Sequence, residues 1–534
     1  MKSNLSRDSC VTRIGTLVLG LLIAGLLTAG LSSGQGNAAG QPQAASPRAP
    51  SPRTAKFLSL HFGRVETEWM VEAAKQVDMM LFSANIQVTV PPAVRAANPK
   101  ALCLGYLNTL DLGPRASLES MVKEWAEIDR KHEDWFLHDE KGQRILVYMH
   151  TGARDRYGLD RTNPGLQRYL AEKAKEIVVA GYDGVFLDNH TLELLFRRKD
   201  KYSGFPAGMT NARWQEGGRA LLAAIKQAVG KDNPPAATGA ARAGLVVYNG
   251  LHGGASRQRS SFQTEGLSPF EAAMQAAEVC DGGMWEDYFG SSGLTETTLR
   301  NAVDTLAAYN KRNKVTVALS TGESAREART RFCLYLLSLD GDHAYFSYVP
   351  DYKRVRWYPV FDTDIGKPAA DYELRDGVAT RRFEKGFVAV NATERSRLVG
   401  MPQPYQNRYA EKLDELTLPP KSGEILSDLS LKIIPPETVE RSVEASGGPV
   451  NLMGQQRGDR VEGGMVVTIP ADIPLKAIRS ASLVFTINDW DQRDEGEIQL
   501  NGHRVDLPIS KASNGRDHEF PPHPVPVEWL RPAA

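Results

Sequence analysis

The feature that most limits the fold is a regular alternation. From residue 56 to about residue 365, short apolar runs take turns with amphipathic segments. Short apolar runs bounded by turn residues suit strands buried on both faces, and apolar residues spaced three and four apart suit helices laid against them. Eight runs fit the first description, at 57–62, 77–82, 101–107, 184–188, 244–249, 282–288, 315–320 and 343–348. Helical periodicity falls at 66–75, 118–130, 164–179, 209–229, 269–279, 295–311 and 324–339, and more weakly at 91–97. Eight βα units over this length predict an α/β chain built on a (β/α)8 TIM barrel with insertions. The competing open doubly wound sheet calls for a Gly-rich phosphate turn after an early strand, and His61-Phe62-Gly63-Arg64 is not one.

In such a barrel chemistry is done at the carboxyl ends of the strands, where polar side chains point into a shared mouth. The run Tyr182-Asp183-Gly184-Val185-Phe186-Leu187-Asp188-Asn189-His190 reads as a buried strand ending in three polar groups, which makes Asp188 the first catalytic candidate. Its bland alternative is a helix cap. The sixth run carries Trp285-Glu286-Asp287-Tyr288, and side-chain alternation sends only one of the two acids inward. Glu286 is preferred; the structural alternative is a salt bridge. Two carboxylates on separate strands are the minimum equipment for glycoside hydrolysis, one ionised and one held protonated. His61, Arg64, Tyr106, Asn108, Asp139, Asn189, Tyr248, Asn249, Trp285 and Tyr348 are candidates for holding a sugar by hydroxyl contacts or ring stacking. Asp160, ahead of Thr162-Asn163-Pro164, reads as a helix entry. The long insertion at 108–183 is placed to build a substrate cleft.

Composition narrows the partners. Lys plus Arg equals Asp plus Glu, at 64 each, so overall charge points to neither nucleic acid nor an anionic membrane. Ten histidines show no H-x-x-x-H spacing and four cysteines no C-x-x-C, so no metal and no cofactor is expected. A metal-dependent hydrolase with Asp188, His190 and Glu286 as ligands is the weaker alternative. Cys103, Cys280 and Cys333 read as buried free thiols.

Lys2, Arg7 and Arg13 precede or open an uncharged run at 14–31, followed by a Gly/Gln/Ala/Ser/Pro tract. Residues 1–39 are therefore expected to be a secretory signal and 40–55 a disordered leader, with an uncleaved anchor as the alternative and a secreted or periplasmic location implied. The barrel is assigned 56–366, a β-hairpin appendage 367–400, a Pro-rich linker 401–437 and an all-β, sandwich-like module short of its last strands 438–534. In that module Asn501-Gly502 reads as a hairpin turn, and Asp489, Asp491, Asp494 and Glu495 as a solvated acidic turn.

Gly181 to Asn189, preceded by Leu159-Asp160-Arg161-Thr162-Asn163-Pro164, resembles the bacterial glycoside hydrolase-like family 15 barrels, themselves distantly similar to endo-α-1,4-polygalactosaminidases. The likeness runs over about 56–393. It implies a strand-four aspartate and a strand-six glutamate as the catalytic pair, here Asp188 as nucleophile and Glu286 as acid/base of a retaining enzyme. The C-terminal segment around 486–502 is similar to β-sandwich modules attached to extracellular polysaccharide-active proteins. The expected function is glycosidic cleavage of a polysaccharide, with a non-catalytic glycan-binding barrel as the alternative.

Overall fold

The computed structural model describes residues 12–24, 53–84, 87–114, 119–147, 156–194, 196, 202–230, 244–251, 265–289, 293–322, 324–353, 355–408, 410–431, 438–444, 450–452, 478–488, 498–501, 503–506, 517–519 and 523–530. The chain divides into two compact units, 44–432 and the combination of 1–43 with 433–534.

In the larger unit eight parallel strands close into a barrel: β1 (Lys56–His61), β2 (Met79–Phe82), β3 (Leu102–Asn108), β4 (Gly184–Asp188), β5 (Leu245–Asn249), β6 (Gly282–Trp285), β7 (Val315–Thr321) and β8 (Ala344–Val349). Each crossover carries a helix: α1 (Thr67–Ala74), α2 (Pro92–Ala97), α3 (Glu119–Lys131) with α4 (Pro164–Val179), α5 (Asn211–Gly230), α6 (Pro269–Val279), α7 (Glu296–Asn310) and α8 (Ala325–Ser338). Local chemistry starts these helices. Asn163 accepts from the Gly165 and Leu166 amides with Pro164 in the first turn, and Ser268 forms a reciprocal capping box with Glu271. Asp160 accepts from the Thr162 amide just before the α4 cap, so it shapes the entry turn rather than capping the helix itself.

Two apolar layers follow from strand alternation. Leu58, Leu60, Met79, Leu81, Leu104, Phe186, Leu245, Val247, Met284, Val315, Val317 and Leu319 pack together inside the barrel. Their neighbours Phe57, Met80, Phe82, Cys103, Val185, Leu187, Val246 and Tyr248 join the layer under the helices. This sets the phase of every strand, and so decides which residue at each strand end faces the mouth.

The described part of the expected linker 401–437, residues 401–408 and 410–431, is not a linker. Tyr405–Gln406, Lys412–Leu413 and Ser422–Ser427 join Glu373–Arg375, Val378–Phe383 and Gly386–Asn391 in one six-stranded sheet, with Ser422–Ser427 paired antiparallel along the whole of Gly386–Asn391. Its prolines sit between strands whose apolar residues, Leu416, Leu418, Ile425 and Leu426, are buried. The sheet covers α8, which explains why Phe332 to Ser338 are buried without interruption. Arg381 reaches from the sheet to the end of α8 and donates to the carbonyls of Leu337 at 2.8 Å and Leu339 at 2.6 Å, supplying donors and charge where a helix leaves carbonyls unpaired.

The smaller unit holds an antiparallel sheet of Thr12–Ala24, Thr438–Glu444, Val450–Leu452, Ile478–Asn488, Asp517–Glu519 and His523–Val525, and a hairpin of Ile498–Leu500 with His503–Val505. Asn501 has φ 51°, the left-handed backbone expected of its turn. Thr12–Ala24, inside the segment read as an export signal, pairs between Thr438–Glu444 and Ile478–Asn488. Uninterrupted apolarity suits either role. The acidic group at 489–495 lies outside the described residues.

Candidate active site

Inward-facing positions near the ends of adjacent strands meet at the barrel's carboxyl end: Tyr106 on β3, Asp188 on β4, Asn249 on β5 and Glu286 one residue past β6. Asp188 accepts three hydrogen bonds. Tyr106 Oη donates to Oδ2 at 2.8 Å, Asn189 Nδ2 to Oδ2 at 3.0 Å, and Asn249 Nδ2 to Oδ1 at 2.8 Å. Glu286 accepts from Asn249 Nδ2 at 2.6 Å on Oε2 and from Tyr352 Oη at 2.8 Å on Oε1. One amide nitrogen therefore serves both carboxylates. Since Asp188 Oδ1 and Glu286 Oε2 lie 2.8 and 2.6 Å from the same atom, they are at most 5.4 Å apart, the sum of the two distances.

The orientation of the Asn249 amide follows from its neighbours, because a flipped group would set its oxygen against two carboxylates. Asn249 is 2 % exposed, and its Oδ1 has no hydrogen-bond partner among the described residues. Asn189 holds its place with φ 55° and Asp287 with φ 56°; these left-handed residues turn the chain at the ends of β4 and β6. Backbone strain of this kind clusters at working sites. Asp287 is exposed and Glu286 half-buried, so the inward acid is Glu286, as expected.

Aromatic rings close the wall. Phe62 packs edge-on to Tyr106 at 5.2 Å and tilted against Tyr352 at 5.9 Å. The Phe62 amide donates to the Tyr352 carbonyl at 2.9 Å, tying the loop after β8 to the end of β1. Burial first, then the Glu286 carboxylate, raise the Tyr352 phenol well above its usual range, keeping it a donor. Neither Tyr352 nor Phe62 was among the sequence candidates. Tyr352 lies beyond a strand end, where alternation gives no guide, and Phe62 carries no polar group to mark it as a site residue. Beside Tyr106 opens a cavity of about 300 Å³, whose other walls include Trp125 and Tyr169 from α3 and α4.

Several candidates are placed elsewhere. Tyr248 points outward, fully buried, with Oη 2.8 Å from that of Tyr309. Trp285 packs outward, edge-on to Tyr288 at 6.1 Å. Tyr348 donates to Glu327 Oε2 on α8 at 3.1 Å. His61 faces the helix layer, stacked on Phe82 and 3.0 Å from Ser59 Oγ, and burial pushes its imidazole down to about 4. Asn108 does face inward but is spent on the loop that follows it, donating to Asp111 Oδ1 at 3.0 Å and accepting from the Leu110 amide. Asp139 closes its own turn by accepting from the Lys141 and Gln143 amides. Arg64 is exposed on the loop after β1. His190 bonds Thr109 Oγ1 and the Gly218 carbonyl, each at 3.1 Å, and lies against Tyr248 behind the strand, so it does not join the two acids as a ligand set.

A closed (β/α)8 barrel with a polar cluster at its carboxyl mouth defines a protein of the TIM-barrel class. Residues 95–387, more than half the chain, match the profile of the hypothetical glycosyl hydrolase family 15, and the chain belongs to that family of glycoside hydrolases. Among solved structures it is similar to the glycoside hydrolase domain of PelA from Pseudomonas aeruginosa, at 14% identity over 57% of this chain and 96% of that one, TM-score 0.34. Others are Aspergillus fumigatus Ega3 in complex with galactosamine (10% identity, 57% and 95% covered, TM-score 0.32) and the α-glucosyl transfer enzyme XgtA (9% identity, 70% and 99% covered, TM-score 0.45). No curated protein matches the chain.

Proposed function

We propose that the chain is a secreted, retaining glycoside hydrolase acting on a polysaccharide, with Asp188 as nucleophile and Glu286 as acid/base. The observation that carries this reading is the shared Asn249 amide, which keeps Asp188 Oδ1 and Glu286 Oε2 no more than 5.4 Å apart. Retaining pairs stand about 5 to 5.5 Å apart, whereas inverting pairs leave about 6.5 to 9.5 Å for a water.

The hydrogen bonds suggest which atoms react. Tyr106 and Asn189 grip Asp188 through Oδ2 and leave Oδ1 toward its partner acid. Tyr352 grips Glu286 through Oε1 and leaves Oε2. In the first step Asp188 Oδ1 attacks the anomeric carbon while Glu286 Oε2 gives its proton to the leaving glycosidic oxygen, forming a glycosyl ester. In the second, Glu286 takes a proton from water, the hydroxide oxygen attacks the anomeric carbon, and the Asp188 ester bond breaks. Asn249 is placed to stabilise whichever acid carries charge at each stage. The export reading of residues 1–39 puts this activity outside the cytoplasm.

Incubating the purified protein with a panel of bacterial and plant polysaccharides, beside Glu286→Gln, tests the proposal. Release of reducing ends by the wild type and a loss of roughly 10²-fold or more in the variant support it. Binding without release by either protein instead favours a glycan-binding barrel.

A further inference from the structure

The 159–164 stretch that carries part of the family likeness has no place in the chemistry above, yet it holds an unusual group. Arg161 is fully buried, and its Nε and Nη1 find no hydrogen-bond acceptor among the described residues. Burial lowers its pKa to about 9. A buried cation without a paired carboxylate is costly, and apolar replacements of buried charges are often neutral or stabilising.

Its remaining contacts point at the nucleophile. Nη2 donates to the Thr191 carbonyl at 2.9 Å, and Trp214 Nε1 donates to the same oxygen at 3.1 Å. The guanidinium lies 3.7 Å from the centre of the Trp214 ring, a cation–π stack that holds both donors in one plate. Thr191 ends the turn that begins at Asp188. From the other side Thr109 fixes the same turn: its amide and its Oγ1 approach the Asp188 carbonyl at 3.2 and 3.1 Å, and Oγ1 also meets His190 Nδ1. Helix α5 packs closely on Thr162 and Leu192, beside the plate, because positions 217 and 218 are glycines. A Cβ at Gly217 would stand 2.7 Å from Thr162 Cγ2, and one at Gly218 3.0 Å from Leu192 Cδ2.

We propose that Arg161 is a positioning residue: with Trp214 it clamps the Thr191 carbonyl, sets the left-handed turn at Asn189, and so aims the Asp188 carboxylate at Asn249, at a cost to the stability of the fold. The proposal rests on Asp188 being the nucleophile.

Arg161→Met keeps bulk and removes the donor and the charge. On the polysaccharide that the wild type hydrolyses, kcat is expected to fall about 10²-fold, the scale of a misplacement near 1 Å, with KM within about twofold and the melting temperature equal or higher. Arg161→Lys, which retains a donor and a charge, is expected to lose less. An unchanged kcat in Arg161→Met overturns the proposal, and so does a fall in kcat that only tracks a lower melting temperature. A crystal structure of Arg161→Met decides the matter without turnover. Loss of the 2.8 Å Asp188 Oδ1 to Asn249 Nδ2 contact supports the clamp, and an intact contact contradicts it. If the wild type hydrolyses nothing, the functional reading fails while this structural test still stands.

Discussion

Asp188 and Glu286 are joined through a single hydrogen-bond donor, the Asn249 side-chain nitrogen, at 2.8 Å from one and 2.6 Å from the other. Two carboxylates this close repel unless something between them supplies positive edge. An asparagine amide has two N–H groups and spends one on each acid.

Asn249→Ala removes that bridge without touching the two acids. Losing one preorganised donor of this type costs roughly 10²- to 10³-fold in kcat, and that range is expected here. Steady-state kinetics on any hydrolysed substrate checks it; a kcat within threefold of wild type would show that the bridge is incidental.

Tyr352→Phe deletes the donor on Glu286 Oε1 while leaving the ring beside Phe62. A hydrogen bond to a charged group contributes about 1.5 to 3 kcal/mol, so kcat is expected to fall about 10- to 10²-fold with little change in melting temperature. Comparing kcat with thermal denaturation separates this from a loss of folded protein.

Tyr248→Phe provides the contrast. The hydroxyl is buried against Tyr309, behind the strand that carries Asn249. Activity should stay within about twofold of wild type while stability drops by about 1 kcal/mol, the net value of one buried hydrogen bond. A large activity loss at unchanged stability would return Tyr248 to the site.

That contrast shows what the sequence could and could not disclose. The eight strands and their helices were legible because apolar runs and amphipathic periods alternate with few interruptions, and Asp188 because it closes a short apolar run. The phase of each strand was harder to read. Barrel strands are buried on both faces, so no polar and apolar alternation marks which side is inward. The candidates consequently take in residues of the opposite phase: Tyr248 beside Asn249, Trp285 beside Glu286, and His61 beside Phe62. The structure turns the second of each pair into the mouth and the first against the helices. Tyr352 was invisible for another reason, since it acts from a loop. The prolines of 401–420 hide a sheet whose long-range pairing with Gly386–Asn391 no local pattern reveals.

The buried imidazole of His61 makes stability depend on pH. Its folded-state pKa of about 4 lies below the ordinary value of 6.5. Between those values the unfolded chain binds a proton that the folded chain does not, so stability falls as pH falls through this window. The full effect is on the order of 3 kcal/mol, and His190, held well below 6.5 mainly by burial, acts in the same direction. Urea melts at several values between pH 4 and 7 should show the decline, and His61→Gln should flatten part of it. An unchanged slope in the variant would mean that His61 is not the group responsible.

The configuration of the first sugar released tests the proposed chemistry most directly. Proton NMR of the anomeric signals during early hydrolysis should show the substrate's own configuration first, with the other anomer growing in only by mutarotation. An inverted first product would contradict attack by Asp188 and require that an activated water attack in its place.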